Sequence, residues 1–533
     1  MSAALEGTQI VGITWNSVGG GVTWDGPTHA THRRLIVGTL AAAAIAGAAI
    51  GPRAEAAVVA LPDFASVAQS VGAQTAWQSG ANGSGIDVAV LDTGVTPVPG
   101  LDGANKLVYG PDLSFDSQNP NTIYLDGYGH GTAMAGIIAG NDSGYQGIAP
   151  NARVVSVKVG ASNGATDVSQ IIAGIDWVVE HAHDPGMNIR VLNISLGTDS
   201  TQYYASDPLA AAAENAWRKG IVVVAATGNE NTANAVADPA TDPYLIAVGA
   251  ADSVGTVNQA DDTSPTWSNR GTGSRQPDLV APGSYVMALN VPGSTLATQN
   301  PNAVFGRFLR GSGTSQATAI TSGAAADILS AHPDYSPDQV KAALTRSAAR
   351  IYEHNPNKVG SGELNVAAAL NQSVSNATQS YTVANGLGTL EGARGSAHVS
   401  LGGVTLTGEK DIFGNTWTSA SIAAARAAGA TWSGGVYNGA TWSGATWSGA
   451  TWSGATWSGA TWSGNTWTGA TWSGATWSGA TWSGATWSGA TWSGATWSGA
   501  TWSGATWSGA TWSGATWSGA TWSGATWSSA TWS

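Results

Sequence analysis

Residues 86–94 read "IDVAVLDTG". The run from Val88 to Leu91 is short, apolar and rich in β-branched side chains, and it stops at Asp92-Thr93-Gly94. A continuous apolar run bounded by turn residues predicts a strand buried on both faces, not one that alternates between core and solvent. Four more stretches have the same character: "ARVVSVKV" (152–159), "IRVLNISLG" (189–197), "IVVVAATGN" (221–229) and "YLIAVGA" (244–250). Between them, Val168, Ile171, Ile172, Ile175 and Val179 keep helical spacing, and an Ala-rich helical segment at 207–219 ends at Gly220. Ser336-Pro337-Asp338 opens a further helix to about Ala348 with a cap residue, a proline in the first turn and a carboxylate. Strands alternating with helices imply an α/β fold with a mostly parallel sheet covered on both faces. In such sheets the sites gather at the carboxyl ends of the strands, where Asp92 stands.

Three other motifs fall at comparable places. "DGYGHGTAMAGIIAG" sets His130 between glycines at the start of a predicted helix. "GSGTSQATAITSGAAA" sets Ser315 at the start of another, and "VVVAATGNE" ends a strand at Asn229. A serine hydroxyl is a weak nucleophile until a base takes its proton. Histidine titrates near neutrality and both takes and returns a proton. A carboxylate on its other nitrogen fixes the tautomer. The oxyanion that follows needs donors, which the Asn229 amide and the Ser315 backbone N–H at a helix N-terminus would supply. Each residue alone has an ordinary reading as a turn, loop or cap residue; the force lies in the combination.

These motifs together resemble the subtilisin-like serine proteases, over roughly residues 64–370. "LDTG", "GHGT", "ISLG", "ATGN" and "GTSQA" match that family's patterns in order, and Asp, His, Ser is the family's chain order of the triad. The resemblance implies a three-layer subtilisin-like fold, catalytic Asp92, His130 and Ser315, and Asn229 in the oxyanion hole. It implies that Ser195, Leu196 and Gly197 pair with an extended substrate. Ala226 and Gly228, with "DPATDP" (238–243), would wall the primary specificity pocket. The sedolisin relatives would carry a glutamate in place of His130.

The chain departs from the family pattern in places. Thr318-Ala319 stands where a proline usually follows the serine motif, and Ala133 stands where a second histidine is usual. Neither is a reacting group, so altered packing is the expectation. Between Ala56 and Asp92 there is no room for the folding propeptide that many secreted relatives carry. No cofactor is required by the chemistry; calcium is conceivable, although the loop "AGNDSGYQGIAP" (139–150) is short for the family's common calcium loop. His181 and His183 read as solvated residues at a polar helix end. The three carboxylates of "DLSFDSQNPNTIYLD" (112–126) read as a surface loop.

The chain has 533 residues, a net charge of −13 and no cysteine. The acidic balance argues against nucleic acid as a partner, since binding it needs a basic face. Thiolate nucleophiles, thiolate metal sites and disulfides are excluded. Arg33-Arg34 precede an apolar run from Leu35 to Gly51, then the small-x-small pattern Ala54-Glu55-Ala56. This has the form of a secretory signal peptide, with a membrane anchor as the alternative. The expected location is secreted or surface-associated.

From Trp432 to Trp532 there are twenty-one slots spaced by five; twenty hold Trp and Tyr437 fills the other. Ile412, Trp417 and Ile422 fall in the same phase. A helix is disfavoured by the Gly, Ser and Thr content. A flat strand is disfavoured because an odd period alternates Trp between faces. "ATWSG" fits a four-sided β-solenoid and resembles pentapeptide-repeat proteins; the alternative is an open chain presenting indoles. From Trp417 onward the only charged side chain is Arg426, so catalysis there is not expected. Indole faces suit cell-wall polysaccharide binding or self-association, and a plain spacer is the other reading. The expected organisation is an N-terminal extension with signal peptide (1–56), a peptidase domain (57–370), a transition (371–430) and the repeat tail (431–533). The expected function is a secreted serine endopeptidase acting on proteins or peptides; the competing class is a non-catalytic surface protein that keeps a protease fold.

Overall fold

The computed structural model describes residues 5–7, 63–117, 121–231, 235–272, 274–401, 404–412 and 416–427, together with short strands between 436 and 532. The signal-like stretch 33–56 lies outside the described residues.

Seven parallel strands form the central sheet: β1 (Asp87–Asp92), β2 (Leu107–Asp112), β3 (Arg153–Lys158), β4 (Ile189–Ile194), β5 (Val222–Ala226), β6 (Ile246–Ala251) and β7 (Leu279–Pro282). Their order across the sheet is β7-β6-β5-β4-β1-β3-β2. β1 lies between β4 and β3, with Leu91 opposite Ile194 on one side and Val157 on the other. Every residue of β1 is buried, as its continuous apolar run requires. The five strands expected from sequence are all present. β2 and β7 were not expected.

Helices cover both faces. On one side α1 (His130–Ala139) packs against α4 (Thr314–Ala331), and on the other α2 (Val168–His181) packs against α3 (Pro208–Arg218). The strand alternation decides which side chain meets which layer. Leu91 points to α2, where it lies under Gly174. The next residue, Asp92, points to the opposite layer, and so does Asn193, whose Oδ1 accepts from Ser322 of α4 at 2.9 Å. The caps follow the expected chemistry. Asp167 and Gln170 form a reciprocal capping box on α2, Asp207 caps α3 with Pro208 in its first turn, and Ser336 with Gln339 caps α5 (Pro337–Arg346).

The region read as a transition joins the same core. Leu390 and Ala393 of the short helix α6 (Leu390–Arg394), and Trp417 ahead of α7 (Ser419–Ala427), belong to the main hydrophobic cluster. This corrects the backward extension of the repeat phase: Trp417 is buried in the domain and Ile422 lies in a helix packed against it. Arg394 and Arg426 tie this region to α2 through ion pairs with Asp167 and Asp176.

In the repeat, each short strand pairs in parallel with the strand four repeats on, so that Trp442 stands opposite Trp462 and Trp462 opposite Trp482. The result is four five-stranded parallel sheets.

Candidate active site

Asp92 is the last residue of β1 and is buried. His130 opens α1, also buried. Its Nδ1 lies 2.8 Å from Asp92 Oδ1 and 2.9 Å from Oδ2. A carboxylate only accepts, so Nδ1 is the protonated nitrogen of this bond. Asp92 Oδ1 also accepts the Thr93 N–H at 2.7 Å, which fixes the carboxylate beyond its bond to the imidazole.

The glycine after His130 is dictated by its neighbour. A Cβ on Gly131 would come 2.1 Å from the Gly94 carbonyl oxygen, so the turn after β1 and the first turn of α1 touch backbone to backbone. The start of α1 has no side-chain bond from its own cap residue, Gly129. Asp126 takes that role. Its Oδ1 accepts from Gly129 N at 2.6 Å and from Thr93 Oγ1 at 2.8 Å, and its Oδ2 accepts from Thr132 N at 2.7 Å. Thr93 Oγ1 in turn accepts from Gly131 N at 3.0 Å. Asp126 therefore holds the aspartate turn and the histidine turn together. Burial raises its pKa, opposed by the bonds from Thr132 and Gly129. Lys158 acts from the other side: its buried Nζ donates to Thr93 O (2.7 Å) and Gly160 O (2.9 Å) and lies 3.1 Å from Asp116 Oδ2.

These contacts correct the surface-loop reading of 112–126. Asp112 and Asp126 are buried, and Asp112 accepts from Ser114 and Tyr124. A carboxylate among polar letters looks solvated until the backbone donors it serves are known. The solvated reading of His181 is corrected too. It is buried, its Nδ1 lies 2.8 Å from Trp177 O, and its ring stacks on the Trp177 indole at 4.4 Å. His183 is exposed.

Ser315 lies in the first turn of α4, behind an extended Gly313. Its Oγ donates to Ser195 O at 2.9 Å, and Ser195 Oγ donates to Ser315 O at 3.2 Å. The nucleophile candidate is thereby locked to the segment that leaves β4. Ser195, Leu196 and Gly197 are all buried along this segment. Asn229 follows β5. Its Oδ1 accepts from Thr314 N (2.9 Å) and Thr314 Oγ1 (3.0 Å), which turns the Nδ2 donor away from Thr314. Glu230, which sequence reading passed over, braces this loop: its Oε2 accepts from Asn229 N at 2.9 Å and Asn269 Nδ2 at 2.7 Å. Burial raises the Glu230 pKa.

Ala226 is buried at the end of β5. Gly228 N donates to Thr314 Oγ1 at 3.2 Å, joining the expected pocket wall to the serine helix. Thr198 and Asp238 exchange both backbone bonds at 2.9 Å, which joins the segment after β4 to "DPATDP". Among the described residues no group of three or more acidic, histidine or cysteine side chains is arranged to hold a metal. In the loop 139–150 the Asp142 carboxylate is engaged by the Arg307 guanidinium through both oxygens.

The profile of the Subtilase family matches residues 83–380. Subtilisin Savinase of Lederbergia lenta is 37% identical over 301 residues, covering 56% of this chain and 96% of its own length. Serine protease AprX of Bacillus subtilis is 36% identical over 295 residues, covering 53% of this chain and 65% of its own length. Subtilisin E of the same organism is 36% identical over 296 residues, covering 54% of this chain and 67% of its own.

Proposed function

Because the chain belongs to the subtilase family of serine-type endopeptidases, we propose that it cleaves peptide bonds through Asp92, His130 and Ser315. The single observation that carries this reading is the His130 Nδ1 bond to Asp92, which leaves Nε2 as the base. Nε2 takes the Ser315 Oγ proton as Oγ bonds to the scissile carbonyl carbon. The carbonyl π electrons move to oxygen, and the oxyanion is met by Asn229 Nδ2 and the Ser315 backbone N–H. The imidazolium, stabilised by Asp92, returns the proton to the leaving amine as the C–N bond breaks. Water then attacks the acyl-enzyme by the same sequence in reverse, regenerating Ser315. The substrate's acyl side lies along Ser195, Leu196 and Gly197, and its side chain at the scissile bond enters between Ala226–Gly228 and 238–243. Hydrolysis of unfolded casein is the test: the wild-type protein degrades it, and Ser315→Ala does not. Undiminished hydrolysis by the variant would refute the assignment.

The reading extends to location and tail. The twin-arginine apolar stretch with its small-residue site supports export. Among the described residues no helix is long and apolar enough to cross a membrane. Parallel pairing at four-repeat steps supports a four-sided β-solenoid for 436–532, with one strand per side. Its tryptophan content supports attachment to cell-wall polysaccharide or to a second copy. Deletion from residue 431 should leave casein hydrolysis intact and release the protein from cells or insoluble polysaccharide; unchanged partitioning would remove the attachment role.

A further inference from the structure

Gln316 follows Ser315 in the first turn of α4 and is buried. The polar side chains around it in that turn are all engaged. Thr314 Oγ1 donates to Asn229 Oδ1 at 3.0 Å, Ser315 Oγ to Ser195 O at 2.9 Å, and Thr318 Oγ1 to Thr314 O at 2.8 Å. Gln316 Oε1 is buried and has no hydrogen-bond partner. A glutamine at the third position of a helix ordinarily folds back to accept the N–H of the cap residue. Gln316 does fold back toward its cap residue, Gly313. That N–H is already spent, however, because Gly313 N donates to Gly283 O at 2.9 Å. The carboxamide oxygen is brought to the cap without the bond that a capping glutamine makes there.

Its surroundings point to another partner. A Cβ built on Gly313 would stand 2.7 Å from Gln316 Oε1, 3.4 Å from Asn229 Nδ2 and 3.7 Å from Ser315 N. The last two are the groups assigned above to the oxyanion. The end of the Gln316 side chain therefore borders the same small space, which Gly313 keeps clear by having no side chain. An acceptor at that place repels a developing oxyanion, whereas an N–H attracts it. The two ends of a carboxamide are nearly the same size, and its terminal torsion is soft, so a half-turn about χ3 exchanges them. Oε1 gives up no hydrogen bond in that turn.

We propose that Gln316 is a third donor to the oxyanion: as the tetrahedral intermediate forms, the carboxamide turns Nε2 onto the former carbonyl oxygen, beside Asn229 Nδ2 and the Ser315 N–H. This deepens the protease reading above and rests on it. No proton is transferred; the N–H stays on Gln316, and only its hydrogen bond is made and then broken when the carbonyl reforms. The bond is strong with the charged oxygen and weak with the ground-state carbonyl, so it acts on kcat and leaves KM nearly unaltered. Gln316 is in this sense a catalytic residue, since it touches a reacting atom.

The test uses the full-length protein and a peptide p-nitroanilide, with kcat counted per site titrated by a fluorophosphonate so that misfolded chains do not enter. Gln316→Met keeps the length of the side chain and removes the donor. Its kcat should fall about ten- to hundred-fold, the scale of one hydrogen bond to a charged group, with KM within about two-fold of the wild type. A peptide aldehyde, whose adduct with Ser315 carries a tetrahedral oxygen, should lose affinity by the same factor. Gln316→Glu has the same shape, but its carboxylate only accepts. Its loss relative to the wild type should be deepest at about pH 9 and shrink toward about pH 5, as the protonated acid regains a donor. A kcat in Gln316→Met within about two-fold of the wild type would overturn the proposal, as would a fall in kcat that aldehyde affinity does not share, or a Gln316→Glu loss that deepens toward low pH. Failure of the protease reading would show differently, as no titrated site and no hydrolysis by the wild type.

Discussion

His130 Nδ1 faces both oxygens of Asp92, at 2.8 and 2.9 Å, with both residues buried. In the proposed mechanism this bond leaves Nε2 as the nitrogen that acts as base. Asp92→Asn preserves the shape but lets the amide donate to Nδ1, favouring the tautomer whose Nε2 carries the proton. kcat on peptide anilides should fall by roughly 10⁴ at pH 7, with KM little changed. A loss under ten-fold, measured by steady-state kinetics, would contradict the assigned tautomer.

Asn229 Oδ1 accepts from both Thr314 N and Thr314 Oγ1. If Asn229 serves the oxyanion as proposed, Asn229→Ala should lower kcat by about 10² to 10³, with KM nearly unchanged. A change in KM alone would mean that Asn229 binds ground-state substrate.

Asp126 accepts two backbone N–H groups at the start of α1 and the Thr93 hydroxyl. In Asp126→Ala those buried donors lose their partner. The expected cost is about 2–4 kcal/mol in urea unfolding, with kcat reduced as well because Thr93 and Gly131 flank the Asp92–His130 pair.

Asp327 lies in α4, fully buried, and neither carboxyl oxygen has a hydrogen-bond partner. Desolvation holds its pKa well above the usual carboxylate value. The folded state then keeps its proton where the unfolded chain has released it. The stability this contributes is fully present below about pH 4 and is lost as pH rises through the folded value. Asp327→Asn removes this titration, so its unfolding free energy should decline less than that of the wild type between pH 4 and pH 8. Parallel pH profiles of the two proteins in urea unfolding would contradict the account.

Arg394 and Asp167 form an ion pair with both side chains fully buried. Arg394→Ala leaves the carboxylate without its partner and should cost about 3–5 kcal/mol. Replacing Asp167 by Asn in the same chain should recover part of that loss, as the double variant buries no lone charge.

The sequence made the proposed reacting groups legible because each stands in a short local motif whose letters the chemistry demands: Asp92 ending an apolar strand, His130 between glycines, Ser315 opening a helix. The groups that hold them were not legible in the same way. Asp126, Lys158 and Arg394 are charged residues whose burial depends on partners far along the chain, and a charge in a polar stretch reads as solvated until those partners are placed. β2 was missed because Tyr109, Gly110 and Pro111 interrupt its apolar run, and β7 because it ends in Pro282. The segment after residue 370 reads as a transition because its apolar residues are sparse; five of them, Val374, Ala377, Leu390, Ala393 and Trp417, belong to the main hydrophobic cluster and seat it on the domain.

The most direct test of the central claim is to treat the full-length protein with a fluorophosphonate and locate the adduct by peptide mass spectrometry. One adduct per chain on Ser315 is predicted, formed rapidly at pH 8, slowed strongly in His130→Ala and absent in Ser315→Ala. No adduct on the wild type, or one that persists in Ser315→Ala, would contradict the account.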